Sequence, residues 1–132
     1  MNAVAQAAAL LAALIHIAVS PMECFLIDRP AVQRFLRIQA KNISDIRLWA
    51  FAIGAHNLVV GLATILGLVI LHTGDEVVGK TLVLAGCVFM FLGGPIMALA
   101  DMLGFYPRKG DSVIPDIASG LLPLVALVAA AI

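Results

Sequence analysis

Four long apolar runs, broken by short polar segments, fill most of the chain: residues 3–27, 48–71, 81–106 and 113–132. Each reaches the ~20 residues that an α-helix needs to cross a bilayer. Lipid offers no partner for an unpaired N–H or C=O, so spanning segments of this length must close their hydrogen bonds internally, as helices. The pattern predicts an all-α membrane protein: one domain over residues 1–132, folded as a four-transmembrane-helix bundle. The first run lacks a basic leader, is too long for a signal-peptide core and carries His16 and Glu23, so it is expected to be retained as a helix.

The polar segments have structure of their own. In the first, Val32, Phe35 and Leu36 fall on one helical face and Arg34, Arg37 and Lys41 on another, which predicts an amphipathic helix over about 30–41 lying on the membrane surface. Trp49 follows where an aromatic belt residue belongs. Pro107 is expected to end the third run, with Asp111 or Ser112 capping the fourth and Pro115 in its first turn. Gly93-Gly94-Pro95 and Pro123 predict a kink or break inside the last two runs. His72, in the short second loop, is expected to be an exposed imidazole with no role.

Composition and charge narrow the function. With 63% hydrophobic and 12% charged residues and a mean hydropathy of +1.10, no room remains for a soluble catalytic domain, so any chemistry belongs in the bilayer or at its surface. The net charge of zero argues against nucleic acid as a partner. Cys24 and Cys87 lack metal-type spacing and read as small buried hydrophobes. Seven of the eight Lys and Arg residues lie in loops one and three and only Lys80 in loop two. Loops one and three are therefore expected in the cytoplasm, both termini on the non-cytoplasmic side, and the protein in a bacterial inner (plasma) membrane.

Ionisable groups within spanning helices cost about 2.5–3.5 kcal/mol each to insert, so each needs a reason. His16, Ser20 and Glu23 share one stripe of the first run; Trp49, Ile53 and His56 share one of the second, with Asn57 beside it between Gly54 and Gly61. Gly94, Met97 and Asp101 line one face of the third, and Asp116, Ser119 and Pro123 one face of the fourth. If all four stripes meet at the bundle axis, Glu23, Asp101 and Asp116 share one level in the cytoplasmic half, with His56 and Asn57 deeper and His16 near mid-bilayer.

Close carboxylates in a low dielectric cannot all carry charge, so one is expected to be a neutral carboxylic acid and hence a proton donor. Glu23, Asp101, Asp116, His16 and His56 are the candidate catalytic acid/base set, and Asn57, Ser20, Trp49, Phe25, Phe89 and Phe105 the candidate substrate-binding set. Each also has a plain structural account: Asn57 as interhelical glue, Asp116 as a helix N-terminal acid, Asp101 as a partner of Arg108 or Lys109, the aromatics as packing or belt. No resident metal or cofactor is expected.

His16-x6-Glu23-x-Phe25, Gly54-x2-Asn57, Gly86-Cys87-Val88 and Gly120-Leu121-Leu122-Pro123 together resemble the small four-helix membrane proteins catalogued as domain of unknown function 1304. The resemblance spans nearly the whole chain, supports the topology and the candidates His16, Glu23 and Asn57, and implies no established activity. In that family the second helix reads Gln-Gly-x-Tyr-Asn where this chain has Ile53-Gly54-Ala55-His56-Asn57, and Asp101 and Asp116 lie outside the usual pattern. The arrangement is also loosely similar to membrane sterol isomerases of the emopamil-binding type and to membrane-embedded terpene cyclases, by analogy alone.

These features lead to an intramembrane acid/base enzyme that isomerises or cyclises a lipophilic, isoprenoid- or terpenoid-like substrate. The alternatives are a proton- or cation-coupled carrier using the same stripe, and a structural or assembly subunit whose polar groups lock helices together. The expected partners are a lipophilic small molecule and membrane lipid, and a homo-oligomer is compatible with the pattern.

Overall fold

The structure, a computed structural model, describes residues 1–39, 41, 43–106 and 108–132. Its helices are α1 (Ala3–Phe25), α2 (Pro30–Phe35), α3 (Ile43–Thr73), α4 (Glu76–Met102) and α5 (Val113–Ala131). Four of them, α1, α3, α4 and α5, are long and apolar enough to cross a membrane. They form an antiparallel bundle in which α1 packs on α3, α3 on α4, α4 on α5 and α5 back on α1, while α1 and α4 meet across the diagonal. Side chains join the end that carries the termini. Asn2 caps α1 by accepting from the Ala5 amide at 2.9 Å and donates to the Ala129 carbonyl of α5, and Gln6 bonds His72 of α3 at 2.6 Å. His72, given no role by the sequence, is thus a tie between two helices.

Small residues set the packing. Without a hydrophobic drive between helices in lipid, association rests on close van der Waals contact, which small side chains permit. Ala5, Ala8, Ala9, Ala12, Ala13, His16, Ser20 and Cys24 recur every three or four residues on α1 and are all buried. Ala8, Ala9 and Ala12 meet Val83, Cys87 and Met90 of α4 and Ala126 of α5 in the core. On α3 the buried positions are Gly54, Gly61, Thr64 and Gly67. A Cβ on Gly54 would lie 2.6 Å from Cys24 Sγ and 2.8 Å from the Ser20 carbonyl, so the α1–α3 seam closes only over hydrogen there.

Several boundaries differ from the sequence expectation, for identifiable reasons. α4 stops at Met102, four residues before the expected end, because Gly104 takes φ +80° and the amides of Gly104 and Phe105 turn back to the carbonyls of Asp101 and Ala100 at 2.9 and 3.0 Å. This is a Schellman C-cap, and it performs the termination assigned to Pro107, which lies outside the described residues. The surface helix α2 ends at Phe35 instead of near 41, since Arg37 adopts φ 57° and the Ile38 amide bonds the Gln33 carbonyl at 2.8 Å. α3 begins at Ile43, before the apolar run does; with 31 residues it is about 46 Å long and exceeds the ~30 Å hydrocarbon layer. α4 begins at Glu76, where Asp75 caps it by accepting from the amides of Val77 and Val78 at 2.8 and 3.1 Å. Finally, α4 and α5 run continuously through Pro95 and Pro123, so of the expected kink or break neither proline makes a break.

Candidate functional site

Glu23 leaves α1 in its last turn and meets Asn57 of α3. Asn57 Nδ2 donates to Glu23 Oε2 at 2.7 Å. Asn57 stands one turn from Gly54, and the glycine decides the geometry: its missing Cβ would lie 3.0 Å from Glu23 Cβ, so the two backbones come close enough for short side chains to bridge them. Both residues are half-buried, and among the described residues this is the one hydrogen bond that the Glu23 side chain makes.

The rest of the α1 stripe extends from that pair toward the alanine core. Ser20 Oγ lies 3.9 Å from Cys24 Sγ, which donates to the Phe51 carbonyl of α3 at 3.6 Å. His16 is buried and turns back on its own helix, Nδ1 lying 2.9 Å from the Ala12 carbonyl. A carbonyl only accepts, so Nδ1 carries a proton in this contact. His16 precedes Glu23 by seven residues, about 10 Å along the helix, too far for direct proton exchange.

Asp101 and Asp116 belong to a different corner. Asp101 Oδ2 accepts from the Gly110 amide at 2.8 Å, the Ser112 amide at 3.3 Å and the Ser112 hydroxyl at 2.9 Å, so the carboxylate ties loop three to the end of α4. These donors, and no contact ion pair among the described residues, hold the carboxylate, while the expected partner Lys109 acts on it through its charge. Ser112 precedes α5 but spends its hydroxyl on Asp101, leaving the helix without a side-chain N-cap bond. Asp116, in the first turn of α5, approaches α4 at Gly94, whose Cβ would lie 3.2 Å from the Asp116 carbonyl oxygen. Asp101 Oδ1 and Asp116 Oδ1 are both buried with no hydrogen-bond partner. Outside the spanning helices, burial pushes the Tyr106 phenol above its ordinary range, and the charges of Asp116, Asp101 and Asp111 push it further, so it remains a neutral donor.

The polar groups therefore divide into an α1–α3 set around Glu23 and an α4–α5 set around Asp101 and Asp116, and no hydrogen bond among the described residues joins the two. The stripes of α1, α4 and α5 bury His16, Ser20, Gly94, Asp101 and Pro123, but no hydrogen bond among the described residues draws all four stripes onto one pocket. His56 faces outward, as do Phe25, Trp49, Phe89 and Phe105, which are 68%, 68%, 55% and 77% exposed. These aromatics border lipid or headgroups instead of an interior cavity; Phe25 meets Phe51 edge to face with centroids 6.1 Å apart. Among the described residues, clefts of about 290 and 350 Å³ open on outer surfaces along α5, and Asp116 lines the larger of these. No group of three or more His, Cys, Asp or Glu able to hold a metal occurs among the described residues. The sequence reading missed Gln6 as partner of His72 and Ser112 as ligand of Asp101. Neither pair lies on one helix, so periodicity carries no signal for it.

Fold and site together define a small polytopic membrane protein with a carboxyl–amide pair between its first two spanning helices. The chain belongs to the family described as protein of unknown function (DUF1304), whose profile matches residues 10–131 and so includes His16, Glu23 and Asn57. No characterised protein and no solved structure matches it.

Proposed function

We propose that this protein is an intramembrane acid/base enzyme that moves a proton on a lipophilic, isoprenoid- or terpenoid-like substrate, with Glu23 as the acid and Asn57 as its positioning residue. The observation that carries this reading is the Glu23–Asn57 bond: a carboxyl within a spanning helix, held by a neutral amide donor and by no cation among the described residues. An acid whose sole task were charge pairing would have a Lys or Arg at that place. In the step, the carboxyl O–H breaks as a C–H bond forms at one carbon of a substrate double bond. The resulting cation loses a proton from the neighbouring carbon, and the electron pair of that C–H bond makes the new double bond. The ~10 Å offset of His16 excludes it as the receiver of that proton, so Glu23 takes it back. Cytoplasmic placement of this end of the bundle is part of the same reading.

A second reading has its own support: the same bond, beside the close approach at Gly54, is what a lock between α1 and α3 looks like. Solvent deuterium separates them. Protein in lipid nanodiscs is incubated in D2O with lipophilic extract of the host membrane, and the extract is analysed by mass spectrometry. The enzyme reading expects a compound that gains deuterium with the wild type and about a hundredfold more slowly with Glu23→Gln. Equal incorporation by both, or none with the wild type, leaves the lock.

A further inference from the structure

The larger cleft runs between α4 and α5, on helices that carry neither Glu23 nor Asn57. Phe91, Pro95 and Ala98 form one wall, and Ile117, Leu121 and Leu124 the other. It is a shallow, open groove of about 350 Å³. Pro95, Ile117, Leu121 and Leu124 are exposed, so it opens sideways, toward the acyl chains. Gly94 and Gly120 form its floor, Gly94 against the Asp116 carbonyl of α5 and Gly120 against Phe91 of α4.

Two groups with acceptor oxygens interrupt the apolar lining. Asp116 lines the cleft at one end, and its Oδ1 is buried with no hydrogen-bond partner. A carboxyl that finds no donor among the described residues in apolar surroundings requires an explanation, because leaving it unpaired is costly; with Oδ1 shielded, Oδ2 is the oxygen open to a ligand. The second is the Phe91 carbonyl, to which Pro95, four residues on, offers no N–H. It lies 3.8 Å from where a Gly120 Cβ would be. From Asp116 to Leu124 the apolar wall continues for about 12 Å of helix.

We propose that this cleft binds a lipophilic alcohol taken from the bilayer, its hydroxyl donating to the Asp116 carboxyl and its hydrocarbon lying along α5 toward Leu124. The head is fixed by elimination. A carboxylate or phosphate head would set acceptor against acceptor. An ammonium would carry a full charge into the acyl layer and would pair well only with an ionised Asp116. A hydroxyl brings one donor and is satisfied whether Asp116 is ionised or neutral. The site is independent of Glu23 and stands if that reading fails.

Photolabelling of the full chain in nanodiscs tests the proposal. The probes are dodecanol carrying a mid-chain diazirine, its methyl ether and its amine counterpart, and adducts are located by peptide mass spectrometry. The alcohol is expected to label the cleft walls, at Phe91, Leu121 and Leu124, about tenfold more than the ether, the factor one hydrogen bond supplies. Asp116→Ala should remove that preference. Asp116→Asn, which keeps an acceptor oxygen, should retain it and so distinguishes a lost ligand from a lost fold. Gly120→Leu should block labelling with Asp116 intact, because the added side chain fills the cleft. Equal labelling by alcohol and ether, preference for the amine, or adducts spread evenly over the outward faces of the four long helices would each overturn the assignment.

Discussion

Ser112 closes on Asp101 twice, through its amide at 3.3 Å and its hydroxyl at 2.9 Å, so that one carboxylate joins the last turn of α4 to the start of α5. The Gly110 amide completes the set at 2.8 Å, and Gly110 itself has φ +93°, a conformation that suits glycine. Loop three is short and polar because it is organised around this acid.

Asp101→Ala should therefore lower the unfolding midpoint in detergent by several degrees, because three donors lose a charged acceptor. Asp101→Asn should lose less, since one oxygen still accepts. An unchanged midpoint for both variants would remove the structural role and return Asp101 to the candidate acids.

Helix content was readable from the sequence because span length and polar breaks are set by the bilayer, and four runs became four spanning helices. The facing of those helices was not. In water an outward aromatic is penalised and a helical wheel points to the core; in lipid Trp49 and Phe105 face outward at no such cost. The wheel also gives each polar residue an angle without naming the neighbour it meets. Glu23 and Asn57 were legible as candidates, but their pairing depends on the close approach over Gly54. Asp101 and Ser112, eleven residues apart across a loop, share no periodic pattern. The early end of α4 had a visible signal in Gly104, which Pro107 overshadowed.

Glycine substitutions should sort by what a new Cβ meets. Gly86→Ala would drive a methyl into Thr64 Oγ1, and Gly54→Ala one into Cys24 Sγ; each should destabilise by about 1–3 kcal/mol. Gly93→Ala meets nothing within 4 Å and sits inside α4, so it should stabilise by about 0.5–1 kcal/mol. Reversible unfolding in mixed micelles measures all three. Equal losses at Gly93 and Gly86 would contradict the packing described.

Membrane orientation is open to a direct measurement. In a variant with Cys24 and Cys87 replaced by alanine, cysteines at Arg34 and Lys109 are expected to resist an impermeant maleimide in sealed right-side-out vesicles, while one at Glu76 reacts. All three positions are exposed on the protein surface, so protection would report sidedness and not burial. Labelling at 34 and 109 with protection at 76 would invert the topology and open the Glu23 end to the opposite compartment.

The last prediction isolates the Glu23–Asn57 bond energetically. Interhelical hydrogen bonds in membranes contribute about 0.6 kcal/mol on average and rarely more than about 1.7, because the alternative state in lipid also finds partners. A double-mutant cycle with Glu23→Ala and Asn57→Ala should give a coupling within that range. Glu23→Gln should unfold like the wild type, since its carbonyl oxygen still accepts from Asn57 Nδ2 across the 2.7 Å contact. Glu23→Leu removes the acceptor and leaves the amide unpaired, and should cost about 1–2 kcal/mol. A fold indifferent to loss of the proton, combined with deuterium transfer that depends on it, would place Glu23 in chemistry. If Glu23→Gln unfolds as readily as Glu23→Leu, the ionised carboxylate itself holds α1 to α3, and the acid must be sought at Asp101 or Asp116.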